Sequence, residues 1–137
     1  DDNFVAYFRS HIAHLNVVGR NFQSDHALLN GIYDDLQDQI DVIGELIRSL
    51  DEFVTDNITD VLMGSSVPVA TMSGTADEML EFVEDSIETM IDQYHRLNEA
   101  AEAVDYIDIS NFAQDQIGQL AKLRWMIEST LDERNEE

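Results

Sequence analysis

The chain has 137 residues, 44% of them hydrophobic, which suits one domain with a real core and excludes a disordered segment. It holds 29 acids against 7 bases, a formal charge of −22, and no cysteine. That charge argues against direct binding of nucleic acid, which rests on Lys and Arg neutralising phosphates. The lack of cysteine excludes disulfides and thiolate metal sites.

No run of about 18 apolar residues is present, so no membrane span is expected. The chain shows no pattern of basic start, apolar stretch and small-residue cleavage site, so a cytoplasmic location is expected. The first helix is expected after Asp1, Asp2 and Asn3, which are good capping residues. Phe4, Val5, Phe8, Ile12 and Leu15 then step at helical spacing. Gly19 and residues 20–23 end it, and Ser24 offers an N-cap for a longer second helix. There Leu29, Ile32, Leu36, Ile40, Ile43, Ile47 and Leu50 form an amphipathic stripe.

A weaker segment at 53–62 is a candidate short extra helix. Residues 63–74, with the single proline Pro68, are the only long stretch of breakers. Thr75, followed by Asp77 and Glu78, opens the next long helix, whose stripe is Leu80, Val83, Ile87, Met90 or Ile91, Tyr94 and Leu97. A break at 103–107 leads to the last helix, capped by Asp108 or Ser110, with Ala113, Ile117, Leu120, Leu123, Ile127 and Leu131 on its apolar face. Short links within each helical pair and one long link between the pairs make an all-α bundle of ferritin-like connectivity, a single domain over 1–137.

The chemistry-bearing residues concentrate between His11 and Glu45. Asp41 and Glu45 are four apart and share a helix face, a spacing that by itself more often marks a solvated face than a ligand pair. His26 and Asp41 are fifteen residues apart on one helix, about 22 Å at 1.5 Å per residue, so they cannot hold one ion within one subunit. His14 lies across a tight turn from His26. If two copies pair their second helices antiparallel about a twofold axis, His14 and His26 of one copy meet Asp41 and Glu45 of the other. Two imidazoles and two carboxylates suit a first-row ion such as Fe(II). His11, one turn before His14, reads first as a half-buried structural histidine and second as a ligand.

His14-Leu-Asn-Val-Val-Gly19, then Phe22, His26, Tyr33, Asp41 and Glu45, resemble the signature of the Dps family, the mini-ferritins named as DNA-binding proteins from starved cells. Leu123-Arg-Trp-Met-Ile-Glu128 is similar to the family's last helix. The resemblance implies a four-helix subunit in a hollow dodecameric cage. It implies oxidation of Fe(II), with hydrogen peroxide in preference to oxygen, and storage of the ferric product, which protects against oxidative damage. The ligands it implies are His14 and His26 from one subunit with Asp41 and Glu45 from its twofold mate. Glu45 and His14 would hold the tighter iron, and His26 with Asp41 the weaker.

Asn30 stands where many members carry an acid. Asp34 and Asp38 share a face that would seed mineral or simply face water. Asp105 and Asp108 fall near the acids that line the family's threefold pores. Trp125 is expected in a core or an interface, His95 on the surface, and Met79, Met90 and Met126 as core filler. Two rival functions stand beside the ferroxidase: a cage that protects DNA by coating it, and an acidic helical shell that kept the fold and lost the centre.

Overall fold

The computed structural model of the chain describes residues 1–69 and 73–132, and these form five helices and no strand. They are α1 (Asp2–Asn16), α2 (Phe22–Ser49), α3 (Ile58–Gly64), α4 (Ala76–Ala103) and α5 (Ile107–Leu131). Residues 70–72 of the breaker run, and Arg134 among the bases, lie outside the described residues. None of the described helices is long and apolar enough to cross a membrane. The chain divides into two compact units, Asp1–Val83 and Glu84–Glu137, with α4 running through the division.

In the first unit α1 and α2 form a hairpin. Val17 closes α1 with an extended backbone, its N–H reaching the Ala13 carbonyl, and Gly19 takes the turn at φ 123°, where a side chain would be strained. The turn is so short that α2 starts at Phe22, two residues before the expected cap. Asn21 takes the N-cap position, and the Ser24 hydroxyl donates back to the Asn21 carbonyl instead of capping. Val5, Ala6, Ala13, Leu29, Ile32 and Leu36 are fully buried, as their spacing requires.

At its far end α2 stops on a Schellman turn. The Glu52 N–H reaches the Ile47 carbonyl, the Asp51 N–H reaches the Arg48 carbonyl, and Asp51 sits at φ 64° where glycine is usual. The extra helix is real but shorter than expected. Asn57 caps α3 by accepting from the N–H groups of Thr59 and Asp60 at 2.8 and 3.3 Å, and residues 53–57 are not helical. The connection is tied back to α1: the Asp2 carboxylate accepts from the Ser66 N–H at 2.6 Å, and Arg9 donates to the Pro68 carbonyl at 2.7 Å.

Thr75 and Glu78 open α4 with a reciprocal capping box, each side chain accepting from the other's backbone N–H at 3.2 Å. Along α4, Leu80, Val83, Ile87, Met90, Ile91 and Tyr94 are buried, while Leu97 is exposed. In the second unit α4 ends on another Schellman turn, with Asp105 at φ 59° and the Tyr106 N–H on the Ala101 carbonyl.

Tyr106, rather than Asp108 or Ser110, holds the N-cap position of α5, and no side chain caps it. The Ser110 hydroxyl is engaged across the hairpin, donating to Asn98 Oδ1 at 2.7 Å, and Gln114 donates to the same oxygen at 3.0 Å. Tyr94 meets Phe112 edge-on at 5.9 Å. Ala113, Leu120 and Ile127 are buried. Trp125 is 62% exposed and Met126 37%, so neither fills the core of the single chain, contrary to a filler role for Met126; Met79 and Met90 do fill it.

Candidate metal centre

His14 sits in the last turn of α1 and His26 in the second turn of α2. The tight turn at 17–21 brings the two rings into a stack, centroids 3.6 Å apart and planes 21° from parallel. Their hydrogen bonds are reciprocal. His14 Nδ1 lies 2.8 Å from the His26 carbonyl oxygen, and His26 Nδ1 lies 2.7 Å from the His14 carbonyl oxygen. A carbonyl oxygen only accepts, so each Nδ1 carries a proton, which in the neutral imidazole leaves the lone pair on Nε2. Fixing the ligand tautomer through the other ring nitrogen is the usual outer support of a metal-binding histidine. His14 is buried and His26 half-buried, while Phe22 stacks on His26 at 5.0 Å.

The carboxylates lie elsewhere in the unit. Asp41 and Glu45 are exposed and line a cleft of about 560 Å³ on α2, together with Arg48 and Val54. Arg48 is occupied by its own loop: its guanidinium lies 4.1 Å over the Phe53 ring and donates to the Glu52 carbonyl at 2.9 Å. Beside this cleft, Phe4, Ile40, Ile43, Ile47 and Val54 border an apolar groove of about 390 Å³. Among the described residues no group of three or more His, Asp or Glu is arranged to hold a metal ion. Within one chain the two imidazoles and the two carboxylates therefore lie at different places, and neither pair belongs to a group of three such donors.

The remaining candidates are placed as follows. His11 is drawn off by aromatic neighbours, stacked on Tyr33 at 4.1 Å and 3.0 Å from the Tyr7 hydroxyl. Asn30 donates to Asp34 at 3.2 Å, which leaves its carbonyl oxygen as a donor atom. Asp34 and Asp38 are exposed on α2, and Asp105 and Asp108 are exposed at the α4–α5 turn, Asp105 being also the left-handed residue of that turn. His95 is exposed, as expected.

Two acids missed by the sequence pattern stand out by burial. Asp25 is raised above the usual carboxylate range by burial and then by the charge of Asp77. Asp35 is raised by burial and then by Asp38, and its Oδ2 is buried without a hydrogen-bond partner among the described residues. Their only sequence signal was position: each is adjacent to or one turn from a core residue on α2.

A family model described as a ferritin-like domain matches residues 1–135. Among curated proteins, the DNA protection during starvation protein of Helicobacter pylori is 26% identical over 132 residues, covering 95% of this chain and 91% of that one. Among solved structures, Dps from Thermosynechococcus elongatus superposes with a TM-score of 0.92 at 21% identity, covering 96% of this chain and 83% of that one. The Dps protein of Vibrio cholerae, described as a member of a broad superfamily of ferritin-like diiron-carboxylate proteins, superposes at 0.90 with 25% identity, covering 96% and 82%. The architecture is thus the ferritin-like bundle, with α3 inside the crossover between the second and the next long helix, and the chain belongs to the ferritin-like domain family.

Proposed function

We propose that the chain, a single ferritin-like domain over 1–137, is the subunit of an iron-oxidising and iron-storing cage whose reaction sites form between two copies. Two subunits pair α2 antiparallel about a twofold axis, so that His14 and His26 of one face Asp41 and Glu45 of the other. The observation that carries this reading is the division of donors: two stacked imidazoles whose Nδ1 atoms are each committed to a carbonyl at one place, two exposed carboxylates at another, and no complete set among the described residues. The apolar groove beside Asp41 and Glu45 supports a partner seated against this stretch of α2.

Fe(II) is the substrate. Two carboxylates balance its charge, and two neutral imidazoles complete a set that suits a first-row ion and leaves positions open for hydrogen peroxide or oxygen. Asn30 has only a neutral oxygen to offer near His26, which makes the His26–Asp41 position the weaker. The Fe(III) product moves to oxygen-rich surfaces inside a dodecamer, for which Asp34 and Asp38 are suited, and Asp105 and Asp108 line the entry route. Carboxylates ringing an opening raise the local cation concentration.

Anaerobic Fe(II) titration followed by peroxide tests the reading. Saturable binding and fast ferric formation are expected in the parent, and both fall in the Asp41→Ala/Glu45→Ala variant with assembly intact. Oxidation no faster than in buffer would leave only a shell that kept the fold. A DNA-coating role, which the name of the Helicobacter pylori relative brings forward, is disfavoured by the charge of −22 with scattered bases.

A further inference from the structure

Arg48 stands on the face of α2 that carries the candidate carboxylates. It follows Glu45 by three residues and Asp41 by seven, and it lines the same cleft. A guanidinium at that spacing and exposure ordinarily pairs with the glutamate one turn before it. Here it does not. Among the described residues no carboxylate lies within ion-pair distance of Arg48.

The segment after the helix holds the guanidinium instead. Asp51 in its left-handed conformation, with the Glu52 N–H on the Ile47 carbonyl, turns the chain back over the last turn of α2. That turn brings the Glu52 carbonyl 2.9 Å from Arg48 Nη1 and the Phe53 ring 4.1 Å from the guanidinium carbon. Phe53 is 83% exposed, so the core does not account for it, and among the described residues its only ring contact is this cation. An exposed aromatic face under a guanidinium and a hydrogen bond to a carbonyl each shift an equilibrium on the order of threefold, as does one exposed Arg–Glu pair. Two contacts stand against one, and the loop wins.

We propose that Phe53 is a positioning residue for the candidate metal centre: it parks Arg48 away from Glu45 and so keeps both carboxylates of the cleft open to a divalent cation. This rests on the iron-oxidising reading above, in which Asp41 and Glu45 are offered to Fe(II). With Arg48 on Glu45, an incoming Fe(II) would have to displace a guanidinium before gaining that carboxylate. The cleft would also present one unpaired negative charge in place of two. Phe53 has no donor atom of its own, and it acts on the carboxylates only through Arg48.

The test is anaerobic Fe(II) titration of the assembled full chain by calorimetry, joined to crystal structures of the metal-free variants. Phe53→Leu keeps an apolar side chain and deletes the aromatic face. Its structure should show the guanidinium within about 4 Å of the Glu45 carboxylate, and its Fe(II) affinity should fall about two- to fivefold, since the worth of one exposed pair sets the ceiling. Phe53→Trp presents a stronger face to the cation and should match the parent. Arg48→Gln should bind Fe(II) at least as tightly as the parent, and with it in place Phe53→Leu should change nothing further. Parent affinity in Phe53→Leu overturns the proposal, as does a fall in affinity with Arg48 still unpaired. An equal fall with and without Arg48→Gln also overturns it, because Phe53 would then act by packing alone. Absence of saturable Fe(II) binding in the parent defeats the iron reading itself, and the role of Phe53 with it.

Discussion

If each reaction site takes imidazoles from one subunit and carboxylates from another, two variants that are inactive apart must regain activity together. The imidazole half is best broken with His14→Asn. The asparagine Nδ2 sits where the imidazole Nδ1 was, so the donor to the His26 carbonyl at 2.8 Å is kept while Nε2 is deleted. Losing the stacked ring of a buried histidine should cost about 1–2 kcal/mol, within reach of a folded domain. The carboxylate half is broken with Asp41→Ala and Glu45→Ala, both exposed, each changing stability by less than about 0.5 kcal/mol.

Suppose equal amounts of the two variants are unfolded, mixed and reassembled at random. Half of the twofold pairs are then mixed, and each mixed pair contains one site with both halves intact and one with both broken, so about a quarter of the sites recover. Peroxide-driven ferric formation per site should rise from near zero in either variant to about one quarter of the parent rate. Native mass spectrometry confirms that mixed assemblies formed. No recovery in confirmed mixed assemblies would refute the shared site, because a site built within one chain cannot be complemented.

Other expectations follow from single contacts. His14→Ala, unlike His14→Asn, deletes the donor to the His26 carbonyl and opens a cavity at a buried position, and should cost about 3 kcal/mol in urea unfolding. Asp35 has a folded pKa above its unfolded value, so the folded state binds the extra proton in that window and stability should fall as pH rises from the ordinary carboxylate range through the raised one; melting temperatures of Asp35→Asn should show a flatter slope there. Asp51→Gly removes a left-handed aspartate from the end of α2 and should raise stability by up to about 1 kcal/mol, read as a higher urea midpoint with unchanged slope. Duplex DNA should not shift with the protein in a gel run without divalent metal; a tight shift would revive a coating role.

The helical stripes were legible because burial on one face forces a period of 3.6, and Leu29, Ile32, Leu36, Leu80, Val83 and Ile87 are all fully buried. So was the Thr75–Glu78 box, a local device made of neighbours in sequence. What escaped was whatever depends on atoms distant in sequence or on an unusual residue in a familiar role. Both Schellman turns use aspartate where glycine is the common signal, so the stop at Asp105 was legible only as a break at 103–107 and the stop at Asp51 had no signal of its own. Ser24 and Ser110 resemble caps by type, yet each hydroxyl finds another acceptor, Asn21 and Asn98 respectively. The partnering of Tyr7 with His11 is an (i, i+4) contact that spacing permits but does not demand.

The two imidazoles link folding to function. The His14 carbonyl is among the last four of α1, which have no partner inside the helix, and His26 Nδ1 supplies one. The bond that finishes α1 is therefore also the bond that fixes the His26 tautomer and leaves its Nε2 as a donor atom. His14 Nδ1 in turn donates to the His26 carbonyl inside α2, which fixes the His14 tautomer. Any change that loosens the 17–21 turn should therefore disturb both Nε2 positions at once. Gly19 is where this can be tried: at φ 123° with open space around it, Gly19→Ala strains the backbone without a steric clash. It should weaken Fe(II) binding at the shared site even though the residue carries no ligand. Unchanged Fe(II) affinity in a variant destabilised by the expected 1–3 kcal/mol or so would mean that the turn does not position the pair.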